Sequence, residues 1–222
     1  MKQTICIRNL HINIYPLVNQ ELDEKNTSKQ KAGNGIHKSV KHYSFIEAPN
    51  GIYIATKAGN CWKEEYFSEC KEEAVGIAII KNGHRFVVNK NGSKQSLPLL
   101  ERDKLSNLKK IPVYRNAIKD FDGYSNTEHL LSLGSPAAKY CRKQREQWYI
   151  PSIGELTIMD EYGEDLNRML LLIGGTQLPE NWHWSSTRYS DKCYFVLDWY
   201  DGVRDSNLQG DLNWVRPVSA SL

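Results

Sequence analysis

Between Phe121 and Gly175 the chain is punctuated by helix starts and stops, and on both sides of that stretch it reads as short strands. Ser125-Asn126-Thr127-Glu128 has the form of a capping box, in which a Ser hydroxyl accepts a backbone N–H and the Glu three residues on reaches back to the cap. Gly134-Ser135-Pro136 stops that helix and restarts another, with Ser135 as N-cap and Pro136 at the first helical position, where its missing N–H is harmless. Ser152-Ile153-Gly154-Glu155 repeats the capping box ahead of Leu156, Met159, Leu166, Met169, Leu170 and Ile173, apolar positions at helical spacing. Gly163 predicts a break within this run, and Gly174-Gly175 a C-cap.

Upstream, Gly51 to Thr56, Val75 to Ile80 and Arg85 to Asn89 are short apolar runs bounded by Gly or Asn, the pattern of an antiparallel meander. Asn60 to Phe67 fits either a helical turn or an insert, and Asn91 to Lys119 reads as loop with short elements. After Pro179 strands and tight turns continue to Leu222. Strands, then helices, then strands predict an α+β fold. Thr4 to Ile14 reads as a further strand ending at Pro16, and Asn19 to Lys41 is polar with little to bury. This divides the chain into residues 1–41, an N-terminal strand and polar arm for linkage or assembly, and residues 42–222, the main domain.

Bulk properties narrow the function. A formal net charge of +3, with Lys and Arg dispersed, disfavours nucleic acid as a partner. The densest basic group, Lys139, Arg142, Lys143 and Arg145, reads as a solvated helix face. Five cysteines (Cys6, Cys61, Cys70, Cys141 and Cys193), with no CxxC and no His at metal-ligand spacing, indicate neither a disulfide framework nor a zinc site. Met1 to Val18 has no continuous apolar core. It resembles neither a signal peptide nor a membrane span, so the expectation is synthesis in the cytoplasm and a location either there or in a virion.

Five motifs occur in order: Trp148-Tyr149-Ile150-Pro151-Ser152-Ile153-Gly154-Glu155-Leu156; Ile173-Gly174-Gly175-Thr176; Trp182-His183-Trp184-Ser185-Ser186-Thr187; Val196-Leu197-Asp198-Trp199-Tyr200-Asp201-Gly202; and Trp214-Val215-Arg216-Pro217-Val218. Together they resemble a bacterial and phage family of C-type-lectin-like domains. That family is related in fold to formylglycine-generating enzyme and includes variable proteins of diversity-generating retroelements. The resemblance covers roughly Gly51 to Leu222 and is strongest after Phe121. It implies a C-type-lectin-like fold with antiparallel strands, two main helical regions and a loop-rich C-terminal β region. It also implies that the segment between the last motifs faces solvent and binds ligand.

The composition of that segment agrees. Rigid aromatics beside short polar residues on loops give large contact area at low entropy cost, as in a paratope. The ligand-binding candidates are therefore Arg188, Ser190, Asp191, Lys192, Tyr194, Trp199, Tyr200, Asp201, Arg204, Asp205, Asn207, Gln209, Asp211 and Asn213. Trp184, Ser185, Ser186 and Thr187 read as scaffold, as does Arg216, whose planar fork suits a clamp on a carboxylate or carbonyl. The expectation is a non-catalytic display protein that uses no cofactor and no metal, does not insert in membranes, and binds a protein or glycan on a cell surface. Three alternatives stay open. Asp198, Asp201, Asp205 and Asp211 could hold calcium. The chain could be an assembly module of a phage tail or surface fibre, forming a homo-oligomer through its N-terminal segment. It could also be a formylglycine-generating-like enzyme, although Cys193 has no neighbouring thiol and His183, between two tryptophans, reads as packed.

Overall fold

A computed structural model describes residues 40–222, all within the compact unit Ser39–Leu222. The strand expected at Thr4 to Ile14 and the polar arm after it lie outside the described residues. The architecture is α+β, as the order of elements predicts.

The largest layer is an antiparallel sheet. Its strands are β1 (His42–Ser44), β2 (Gly51–Thr56), β3 (Asn60–Trp62), β4 (Ala74–Lys81), β5 (His84–Asn89) and, far downstream, β11 (Val218–Ser219), in the order β1-β3-β2-β4-β5-β11. The three runs predicted as a meander are β2, β4 and β5. Asn82 and Gly83, with φ of 52° and 86°, form the two-residue turn that lets Lys81 pair with His84. The segment Asn60 to Phe67, ambiguous by sequence, divides into β3 and a 3-10 helix at Glu64–Glu69.

Both faces of this sheet are buried, and period-two alternation sorts its side chains into two cores. Ile54, Ile77, Ile79, Phe86 and Val88 join one core, while Tyr53, Ala55, Ala78, Ile80 and Val87 join the other. Helices cover each side. The short α1 (Tyr114–Ala117) precedes α2 (Gly123–Ser132) and α3 (Pro136–Gln144); α2 and α3 place Leu130, Ala137, Ala138 and Cys141 in the second core. Helices α4 (Ile153–Glu161) and α5 (Gly163–Leu172) place Leu156, Met159, Leu166, Met169 and Leu170 in the first.

The capping chemistry holds at two of the three predicted starts. Ser135 accepts from Ala138 N at 3.0 Å with Pro136 at the first position, and Ser152 and Glu155 form the reciprocal box. Ser125 does not cap. Helix α2 begins at Gly123, because Asp120 organises the preceding turn: its Oδ1 accepts from Asp122 N at 2.9 Å and its Oδ2 from Asn126 Nδ2 at 3.2 Å. Ser125 Oγ then donates to Asp122 O, and Glu128 pairs with Arg142 instead of reaching back. The helical run breaks next to Gly163, between α4 and α5, and α5 closes with Gly174 at φ 70° and Gly175 N bonded to Leu170 O at 2.8 Å.

The C-terminal part forms a three-stranded sheet of β7 (Trp182–Arg188), β8 (Cys193–Asp198) and β9 (Arg204–Leu208), with β8 in the centre. A two-stranded ribbon pairs β10 (Leu212–Asn213) with β6 (Leu97–Pro98). Strand β8 is buried on both faces: Tyr194 and Val196 enter one core, Phe195 and Leu197 the other. The small sheet is thus wedged between the same two cores as the large one.

Candidate functional site

The site expected between Arg188 and Asn213 is carried by β8, β9 and their turns, on a frame held by buried polar clamps. Arg216 is 1% exposed, and its guanidinium donates to three carbonyl oxygens: Asn89 (3.1 Å), Thr176 (2.9 Å) and Gln177 (2.8 Å). Burial lowers its pKa to about 10, so it stays charged at neutral pH. Trp184 is fully buried with Nε1 bonded to Leu97 O at 2.7 Å. Thr187 Oγ1 accepts from Ile153 N (2.9 Å) and donates to Asp120 Oδ2 (2.7 Å), tying β7 to the start of α4. His183 is buried between its neighbours. Desolvation pushes its pKa down to about 3, so the imidazole is neutral, with Nδ1 2.9 Å from Asn181 O.

Four of the predicted ligand contacts are not on the surface. Arg188 is 5% exposed and reaches three carbonyls, of Ser190 (2.8 Å), Leu108 (2.8 Å) and Asp191 (3.0 Å), because a buried guanidinium needs acceptors for its fork of donors. Tyr194 is fully buried, since β8 is central and both of its faces pack. Gln209 donates from Nε2 to the carbonyls of Glu101 (2.7 Å) and Lys104 (2.8 Å), closing the long loop after β6. Asn213 is buried, its Oδ1 accepting from Asn207 Nδ2 at 3.2 Å.

Other candidates are partly engaged. Arg204 bridges Asp160 of α4 (2.7 Å) and Gly202 O (2.5 Å), fixing the β8–β9 turn against the helix. Trp199 is half-buried and meets His183 edge to face at 5.8 Å. Ser190 and Asn207 are also half-buried. The acidic residues are not pooled. Asp198 accepts from Tyr200 N, Asp201 from Val203 N and Asp211 from Leu208 N, each shaping its own turn, while Asp205 accepts from Ser206 N within β9. Among the described residues no group of three His, Cys, Asp or Glu side chains is gathered around a point where a metal ion could sit.

The exposed members are Asp191, Lys192, Tyr200, Asp201 and Asp205. Asp191 pairs with Lys110, which holds its carboxyl below the usual carboxylate range. Also exposed are three apolar side chains that sequence reading missed, Val203 (45%) just before β9, Leu208 (50%) at its end and Leu212 (62%) in β10, together with Tyr200 (58%) in the β8–β9 turn. A lone apolar residue reads as core by default, so the sequence carried no signal for these three. What the arrangement offers is a surface with amphipathic anchors, a few carboxylates and a pinned backbone.

Of the described thiols, Cys70 and Cys193 are half-buried and have no neighbouring thiol in the sequence. Cys61 and Cys141 are buried, with desolvation raising the former to about 12 and the latter further. The most perturbed carboxylate is Glu155, fully buried and raised to about 7, first by desolvation. It accepts from Tyr149 Oη (2.6 Å) and Ser152 N (2.7 Å) and is buried in the first turn of α4, next to Gly123 at the start of α2.

No family model matches the sequence, and no curated protein does. Among solved structures the chain is similar to a fimbrial protein from Bacteroides ovatus, with a TM-score of 0.56 at 15% identity over 77% of this chain. The chain spans about half of that structure, 48% of its length, and the likeness is one of fold.

Proposed function

We propose that the chain is a non-catalytic display protein of C-type-lectin-like fold, related to the variable proteins of diversity-generating retroelements, that binds a protein or glycan on a cell surface. The observation that carries this reading is the exposure of four apolar side chains, Tyr200 and Val203 ahead of β9, Leu208 at its end and Leu212 in β10, on a backbone pinned by buried bonds. Large apolar groups held out in solvent on a fixed frame lose little entropy on binding, which is how paratopes gain affinity. The Asp198, Asp201 and Arg204 bonds pre-organise the turn that carries Tyr200. The likeness in fold to a fimbrial protein supports a place at a cell surface.

The contact set is narrower than composition suggested: Tyr200, Asp201, Val203, Asp205, Leu208 and Leu212, with Asp191 and Lys192 at the β7–β8 turn. The test is retention of the labelled full chain on intact bacterial cells, read by flow cytometry. Y200A/L212A should reduce retention about tenfold or more, the scale of losing interface anchors, while the melting temperature stays within about 2 °C. Unchanged retention, or an equal loss of folding, would overturn the reading.

A second reading, an assembly module, draws on the same likeness to a fimbrial protein. Removing residues 1–41 should then disperse an oligomer in light scattering; an unchanged mass rejects it.

A further inference from the structure

The loop that follows β5 and helix α3 border a cavity of about 480 Å³, with no residue of the 188–213 segment in its lining. That volume lies within the range of roughly 300–1,000 Å³ usual for small-molecule sites. A recess of about 140 Å³, toward Trp148, shares Asn91 and Gln144 with it, so the two form one groove.

The charges around this groove do not balance. Among the described residues Lys94 is the one charged side chain in the lining of the larger cavity. The smaller recess adds Arg145 and Lys90, whose Nζ donates to Ala74 O at 3.3 Å. None of these three cations pairs with a carboxylate of a described residue. The one carboxylate of the lining, Glu73, lies in the smaller recess and already pairs with Lys57 at 3.7 Å. A fourth cation stands behind the wall. Arg216 is 1% exposed, its acceptors are all uncharged, and its Nε has no hydrogen-bond partner among the described residues. That Nε lies 3.2 Å from where a Cβ on Gly92 would stand, and Gly92 and Thr176, whose carbonyl accepts from Arg216, both line the cavity. The guanidinium also acts on Tyr140 of the same lining: burial raises the phenol's pKa, and the Arg216 charge opposes the rise.

A buried charge is normally paired within the protein, and one left unpaired favours an anion brought from outside. The remaining lining narrows the kind of anion. The Tyr140 ring, fixed by its hydroxyl donating to Gly92 O at 2.6 Å, and Leu97 form an apolar wall that a bare inorganic ion cannot use. The exposed side-chain amides of Gln95 and Gln144 bring N–H donors to the same cavity as Lys94, and a carboxylate accepts from both kinds of donor. We propose that this groove is a second binding site, for an organic carboxylate with an apolar body, either a free acid or the carboxyl terminus of a peptide. Lys94, Gln95 and Gln144 hold its charge over the buried Arg216, and Tyr140 and Leu97 pack its apolar body.

The test is saturation-transfer NMR on the full chain. Octanoate and phenylpropanoate stand for free acids and N-acetylphenylalanine for a peptide terminus, with N-acetylphenylalaninamide as the neutral control and phenyl phosphate as the dianionic one. At least one carboxylate should bind saturably with Kd on the order of 1 mM or tighter, and more weakly at high salt. K94E reverses an exposed charge, so its melting temperature should stay within about 2 °C of wild type while carboxylate affinity falls about tenfold or more. Binding should persist in Y200A/L212A. Tighter binding of N-acetylphenylalanine than of the free acids identifies a peptide terminus as the source, and the reverse a free acid; either result upholds the site. The inference is overturned if no carboxylate saturates, if the amide or phenyl phosphate binds as tightly as the best carboxylate, or if K94E keeps wild-type affinity. Loss in Y200A/L212A with retention in K94E would place the acid beside β9 and overturn it too. Because the two variants alter separate surfaces, this inference can fail while the display reading stands.

Discussion

Arg216 and Arg204 show how differently two arginines of one segment are used. Arg216 satisfies three carbonyls from inside the core, so Arg216→Lys, which keeps the charge but not the planar fork, leaves acceptors unpaired. We expect a loss of about 2–4 kcal/mol in urea unfolding. Arg204→Ala should also lower the melting temperature, since it frees the β8–β9 turn from Asp160. The segment's composition alone made Arg204 look like a ligand contact, because an exposed Arg and a half-buried one have the same letter. Glu155 provides a pH signature. Its folded pKa is raised to about 7 from 4.5, so its favourable contribution is complete below about pH 4.5 and is lost as pH rises through 7, by on the order of 3 kcal/mol. His183 acts in the other direction: with its pKa lowered to about 3, its contribution is present above pH 6.5 and lost as pH falls. The diagnostic quantity is therefore the stability difference between wild type and E155Q, which should shift in favour of E155Q between pH 5 and pH 8. A constant difference would mean Glu155 does not titrate there.

At the scale of elements, the caps at Ser135 and Ser152 were readable because a local sequence suffices to satisfy a helix end. The start of α2 was not. Asp120 organises its first turn and is itself held by Thr187, 67 residues away, a contact that no local pattern encodes. The strands β2, β4 and β5 were legible from β-branched runs between turn residues, whereas β1, β6 and β11, two or three residues each, depend on neighbours far along the chain. Two glycines, one inside α4 and one opening α5, separate packing from flexibility. A Cβ on Gly154 would lie 2.4 Å from Asp120 O and 2.8 Å from Ile118 O, so G154A should destabilise by about 1–3 kcal/mol through overpacking. A Cβ on Gly163 meets nothing within 4 Å at an α5 position, so G163A should stabilise by about 0.4–1 kcal/mol. Chemical denaturation of both variants measures the contrast, and equal effects would contradict the packing described for α4.

For the whole molecule, the α+β order could be read ahead of the structure, but the split of its strands between two cores could not, because alternation reveals that a strand has two faces and not what covers each. The same limit governed the binding segment: aromatic and polar density located β8 and β9 without revealing that β8 is interior and β9 an edge. Sheet order has a further consequence for how the chain reaches this state. Strand β5 ends at Asn89, and its neighbour β11 begins at Val218, so helices, ribbon and small sheet all lie between two adjacent strands. The β4–β5 hairpin can close quickly on its own two-residue turn. Its far edge then waits for a partner across one of the longest loops in the fold, and such closures are slow. Until Val218 pairs with Val88 and bridges back to Tyr149, the hairpin presents an open apolar edge. Refolding yield should thus fall with protein concentration, and the last contacts made guard the domain against aggregation.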